Sequence, residues 1–198
     1  ISFLKIGFLF LILTFVLGVA PTPAVDDGAY LAEQFLKKIP LNSYDQAMTM
    51  EQAMLIQAQF IKSLKPTFGE VVGYKAGLTN PDVQKAFGVN HPLRGTLLKK
   101  MLLKSGAEVE ANFGSRPLYE GDLILRVGSV EINKAKTLQE ILKHIDAVIP
   151  FIELPDITYA KEVKINGPAL AAINVGARFG ITGPPIPVKA STEWMDRL

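Results

Sequence analysis

The sequence predicts an α+β protein, with an N-terminal helical region packed on a mixed β-roll. Two observations carry that prediction. Residues 27–64 place apolar side chains at helical spacing, whereas beyond Phe68 the chain turns to short strand-like runs cut by glycine and proline. Its 198 residues, 48% of them hydrophobic, suffice for one core. The organisation expected is a signal peptide over residues 1–24, a helical region over 25–68 and a β-roll domain over 69–198.

Each segment has its own reason. Lys5 is followed by "IGFLFLILTFVLGVA", an uncharged run closed by Gly18 and Ala20, with Ala24 as a second small exit residue. A basic start, a short apolar stretch and small residues describe a secretory signal. The run falls short of the roughly 20 residues a membrane span needs. The protein is therefore expected to be exported, periplasmic or secreted in a bacterium, with no membrane association after cleavage. Tyr30, Leu31, Phe35 and Leu36 mark a first helix that Pro40 closes. A second starts at Thr49, with Met50, Ala53, Met54, Ala58 and Ile61 on one side and an end between Ser63 and Pro66.

The later elements are shorter. "EVVGYKAGL" reads as a strand, and "NPDVQKAFG" as a helix with Asn80 as cap, Pro81 first and Gly88 at its end. "HPLRGTLL" is extended. Residues 107–130 suggest paired strands about a turn at residues 112–115. Thr137, with Glu140 three residues on, caps a helix whose buried stripe is Leu138, Ile141, Leu142 and Ile145. A strand over residues 147–154 follows. "AAINVGARFGITGPPIPV" is strand-like, and "STEWMDRL" opens a helix where the sequence stops, which suggests a domain incomplete at its C-terminus.

Composition narrows the function. Net charge is +2 and the densest basic cluster is Lys99, Lys100 and Lys104, too small to track a phosphate backbone, so no nucleic acid is expected. With no cysteine, thiol nucleophiles and Cys-type zinc sites are out, and His91 and His144 alone cannot build a His-rich site. A metal here would be held by oxygen. In "LYEGDLILRV", residues 118–127, Glu120 and Asp122 share one face of an apolar strand, roughly 7 Å apart at Cα. Two readings follow: a solvated face paired with Arg116 and Arg126, or a cation between the carboxylates. Glu153, in the apolar "FIELPD", is a third acid that needs a reason. Three carboxylates together would gather one hard ion and leave room for water and a chelating ligand.

The stretch "VVGYKAGLTNPDVQKAFGVNHPLRGTLL" resembles the front of the 2-oxopent-4-enoate hydratase and 2-oxo-acid decarboxylase family, within the fumarylacetoacetate hydrolase superfamily. The family's Gly-Tyr-Lys-x-Gly-Leu-Thr corresponds to residues 73–79, its Val-Gln to Val83-Gln84 and its Gly-Thr-Leu to Gly95-Thr96-Leu97. Its Glu-x-Glu/Asp metal motif matches Glu120-Gly121-Asp122, and Glu153, 31 residues after Asp122, stands in the place of its third acidic ligand. The resemblance runs from about Gly69 to the end of the chain. It implies a β-roll of the fumarylacetoacetate hydrolase type that here lacks its C-terminal strands, and Mg²⁺ or Mn²⁺ on Glu120, Asp122 and Glu153. A homo-oligomer is expected through that sheet.

The activity implied is that of a lyase on a small 2-oxo or 2-hydroxydienoic acid, in aromatic catabolism. It would hydrate a 2-hydroxypenta-2,4-dienoate-like substrate or decarboxylate a related 2-oxo diacid, the cation acting as Lewis acid. Lys75 would meet the substrate carboxylate or relay a proton, Arg94 would grip substrate where the family often has an acid, and Asn174 would hydrogen-bond it. Two departures stand out: Leu93-Arg94 before Gly95, and Asn174-Val175-Gly176 without the family's serine. From the residues alone, Lys75 also fits a snorkelling strand residue, Arg94 a surface arginine and Asn174 a turn cap. Two other classes stay open: a non-catalytic periplasmic binding protein for a metal-chelating oxo acid, and a carbon–carbon bond hydrolase with His91 as its base.

Overall fold

The structure, a computed structural model, describes residues 27–188; the expected signal peptide and the closing "STEWMDRL" lie outside them. Asp27 accepts the Ala29 N–H and starts α1 (Gly28–Lys37). Thr49 and Gln52 cap each other's backbone at the start of α2 (Met50–Phe68). This helix runs through Pro66, past its expected end: the proline gives up its own N–H bond to the preceding turn, and the continuation buries Phe68. Its inward face overlaps the expected one only in part. Ala53 and Ile61 are buried as expected, but Ile56, Gln57, Phe60 and Leu64 join them and Ala58 is exposed. Phe60 meets Phe35 of α1 edge to face, with centroids 5.4 Å apart.

Two sheets follow. β1 (Val71–Gly77) pairs antiparallel with β2 (Leu93–Leu98) across α3 (Pro81–Ala86), whose cap is Asn80 as expected. The larger sheet runs β3 (Leu102–Lys104), β6 (Phe179–Thr182), β5 (Ile145–Leu154), β4 (Glu120–Val127), and β7 (Ile186–Pro187) also pairs with β5. β3 and β6 are parallel and the other pairs antiparallel. The expected hairpin over residues 107–130 does not form, since β4 finds its partner in β5 beyond α4 (Leu138–Leu142). α4 carries the expected Thr137–Glu140 capping box, but only Leu142 and Ile145 of its expected stripe are buried. α5 (Gly167–Ala172) ends two residues into the expected strand-like run, whose strands are β6 and β7.

The α+β class is as expected. The core lies among α1, α2, α5 and β2, joined by Tyr159, Ile173 and Val175. Among the described residues no helix is long and apolar enough to cross a membrane.

Just past β5, fully buried Asp156 binds Arg178 Nη1 at 3.1 Å. The same carboxylate accepts the Arg116 N–H at 2.7 Å and the Ser115 hydroxyl at 3.3 Å. Arg178 also donates to the Phe35 carbonyl at 2.9 Å, so one pair ties α1 to the segments beside β5. Asp156→Ala would strand a buried guanidinium. It should cost about 3–5 kcal/mol in urea unfolding, whereas a cost under about 1 kcal/mol, the range of an exposed pair, would contradict this role.

Candidate active site

Alternation along β1 and β2 decides half of the site. Lys75 pairs with Gly95, so its side chain leaves one face of the ribbon, and Tyr74 and Arg94 leave the other. Gly95 must lack a Cβ, which would stand 2.7 Å from Lys75 Cγ and 2.8 Å from the Asn174 carbonyl oxygen. Through that gap the Lys75 stem reaches inward. Its ammonium binds the Glu153 carboxylate and donates to the Val175 carbonyl at 3.1 Å. An ammonium has three N–H groups, so one remains for a ligand in the cavity that Lys75 lines.

The β4–β5 ladder supplies the other half. Its register sets Glu120 opposite Glu153, with Asp122 one pleat further along the same face. Glu153 is only 4% exposed. Burial pushes its carboxyl above the ordinary value; Lys75 opposes the rise, and the charges of Glu120 and Asp122 add to it. Lys75 and Glu120 line a cavity of about 640 Å³ with apolar walls from Leu78, Phe87, Ile157, Leu170 and Val175. Asp122 lies instead on a second depression of about 450 Å³, and its carboxylate accepts the Leu123 N–H at 2.7 Å.

The three expected metal ligands thus share a face, but Glu153 is engaged by Lys75. Among the described residues, no group of three or more His, Cys, Asp or Glu is gathered to hold a metal ion. The donor set still fits a hard divalent cation in kind and register. All donors are carboxylate oxygens, and a cation there would offset both the burial of the Glu153 charge and its smaller repulsion by Glu120 and Asp122.

The other expected residues are not brought to the cavity. Arg94 lies over the Tyr74 ring, 5.2 Å from its centroid, on the face away from Lys75. Asn174 is fully buried, and its amide accepts the Thr96 N–H at 2.7 Å and donates to the Thr96 carbonyl at 2.9 Å. That clamp fastens β2 to the turn bearing Val175. His91 is exposed, with Nδ1 2.9 Å from the Pro92 carbonyl oxygen. The solvated-pair reading of the acids is not formed either, because Arg126 binds Asp146 at 2.7 Å. Arg116 was read only as a partner for those acids, yet it lines the Lys75 cavity with Leu118 and Glu120. Residue parity was the signal for it: 116, 118 and 120 fall on one face of an extended chain.

Comparison with known proteins adds to this geometry. No family model matches the chain. It is 29% identical over 126 residues to the 2-keto-4-pentenoate hydratase of Paraburkholderia xenovorans (strain LB400), covering 63% of this chain and 47% of that one. It is 25% identical over 142 residues to the TodF product hydratase of Pseudomonas putida, covering 70% and 53% respectively. The chain spans about half the length of the curated relatives it matches. Among solved structures, 4-oxalocrotonate decarboxylase from Pseudomonas putida G7, complexed with magnesium and adipate, superposes with a TM-score of 0.67 at 22% identity, over 79% of this chain and 62% of that one. The same enzyme complexed with calcium and acetate gives a TM-score of 0.64 at 21% identity, over 79% and 61%.

The chain therefore resembles those hydratases in sequence and shares the α+β fold of the decarboxylase. The expectation of an exported, periplasmic or secreted protein is corrected by these matches, which are to hydratases and a decarboxylase and carry no sign of export. Residues 1–26, on which that expectation rested, lie outside the described residues.

Glu153 sets a pH dependence. The folded state holds its proton more tightly than the unfolded chain, so the native protein binds the extra proton. Its stability then falls as pH rises from about 4.3, the ordinary Glu value, through the raised native one. In metal-free protein, the melting temperature between about pH 4 and pH 7 should fall more for the wild type than for Glu153→Gln, which has no proton to lose. Parallel curves would contradict the raised value.

Proposed function

We propose that the chain is part of a divalent-metal-dependent lyase acting on a small 2-oxo or 2-hydroxydienoic acid, by hydrating a 2-hydroxypenta-2,4-dienoate-like substrate or decarboxylating a 2-oxo diacid. The observation that carries this reading is the meeting of Lys75 with Glu153, beside Glu120, on one half-apolar cavity. The sequence likeness to hydratases and the fold likeness to a decarboxylase support it. A fumarylacetoacetate hydrolase-type roll and a homo-oligomer belong to the same proposal. β4 exposes Leu123, Leu125 and Val127, an apolar row that a second subunit would cover.

In this reading Glu120, Asp122 and Glu153 hold Mg²⁺ or Mn²⁺, which when bound supplies Lewis acidity toward the oxygens of the oxo acid. Lys75 does the rest of the polar work. Its unengaged N–H meets the substrate carboxylate or passes a proton, while Glu153 and the Val175 carbonyl hold it still. Leu78, Phe87, Ile157 and Val175 give the carbon chain of the substrate an apolar wall. Asn174 positions rather than touches, through Thr96. A carbon–carbon hydrolase gains no support, since His91 stands outside the cavity and faces solvent.

The test is turnover of 2-hydroxypenta-2,4-dienoate and of a 2-oxo diacid by the full-length protein with Mg²⁺, product mass separating water addition from loss of carbon dioxide. Lys75→Met should lower kcat by at least about 100-fold, the usual worth of a positioned proton-transfer group. Unchanged turnover in that variant, or no turnover of either substrate by the folded wild type, would sink the reading.

A further inference from the structure

We propose that Arg116, backed by Lys161, forms a second anion-binding subsite at the far end of the Lys75 cavity, so that the preferred ligand is a short dicarboxylate. The inference rests on the oxo-acid reading of that cavity and narrows it.

The placement follows from the backbone. Residues 116–120 run beside residues 153–157. Pro117 bridges Asp156, the Leu118 N–H donates to the Pro155 carbonyl at 2.9 Å, and the Ile157 N–H donates to the Arg116 carbonyl at 3.2 Å. Glu120 continues the ladder opposite Glu153. Along an extended segment every second residue shares a face, and Arg116, Leu118 and Glu120 all line the one cavity. Four residues of strand put roughly 13 Å between the Cα atoms of Arg116 and Glu120. A ligand lying along this groove meets Lys75 and Glu120 first, then the apolar side chains of Leu118 and Ile157, and then a guanidinium.

That guanidinium has a fixed root and a free head. The Arg116 N–H is held by the buried Asp156 carboxylate at 2.7 Å and its carbonyl by Ile157, so its backbone cannot drift. Among the described residues its side chain makes no ion pair, and neither does Lys161, which lines the same cavity. The lining as a whole holds four cations, Lys75, Arg116, Lys161 and Lys164, against two acids, Glu120 and Glu162. A monocarboxylate engaged at the Lys75 end leaves Arg116 with nothing to bind. A second carboxylate beyond an aliphatic spacer gives it a planar, two-pronged partner, the geometry that arginine recognises best.

Calorimetry on the full-length protein with adipate and hexanoate tests this, because the two share a six-carbon chain and differ by one carboxylate. The wild type should bind adipate at least about 10-fold tighter, as one charge-assisted contact provides. Arg116→Gln should erase that preference by weakening adipate alone. Lys161→Gln, on an exposed turn, should shrink it, and decides the matter if Arg116→Gln does not fold. Equal affinities in the wild type, or a full preference surviving in a folded Arg116→Gln or in Lys161→Gln, would overturn the subsite. The lyase reading fails separately. Adipate preference through Arg116 with no turnover keeps the subsite and removes the lyase, while turnover of the dienoate without adipate preference does the reverse.

Discussion

The ion pair between Lys75 and Glu153 is the constraint on which the site depends. It joins the two sheets, Lys75 coming from the β1–β2 ribbon and Glu153 from the middle of the larger sheet. Both side chains are nearly out of water, so each would be costly alone, and neither sheet can shift without exposing the other's charge to an apolar surrounding. The supporting contacts serve this meeting. Gly95 lets the lysine stem pass, and a Cβ on Gly77 would collide with Val175, whose carbonyl completes the ammonium's surroundings. Asn174 clamps that turn to Thr96 from within a left-handed backbone conformation, φ 58°, that asparagine tolerates better than most residues.

From this pair the cavity acquires a direction. Acids and one ammonium gather where the sheets meet, an apolar wall follows, and unpaired cations stand beyond it. The arrangement leaves an electrostatic tension at Glu153, which is repelled by Glu120 and Asp122 and attracted by Lys75 alone. A divalent ion would answer that repulsion more fully than one ammonium can. In the proposed reading the Lys75 contact is the resting partner of a carboxylate that also holds the cation.

Local features of the fold were legible in the sequence. The Thr49 and Thr137 caps and the Asn80-Pro81 start are settled by side chains within three residues, and they formed as expected. What depended on distant partners was not legible. β4 could not announce that its partner lies beyond α4, and α5, with 6 residues, is too short to show a helical period. In the site, the acids and Lys75 stood out because charge in apolar strands is conspicuous. Arg94 lies away from the cavity because the register with β1 turns it to the opposite face, and Asn174 because its amide is engaged by both backbone groups of Thr96. Asp156 and Arg178, the buried pair at the end of β5, left no pattern that either residue shows by itself.

The proposed function stands on the face bearing Glu120, Asp122 and Glu153 being a cation site. Titration of Mn²⁺ into the full-length protein, with free Mn²⁺ followed by electron paramagnetic resonance, tests it most directly. The wild type should bind one Mn²⁺ per chain, and Glu120→Gln and Asp122→Asn should each lose it. Mn²⁺ binding that is absent from the folded wild type, or that survives both substitutions, would contradict it.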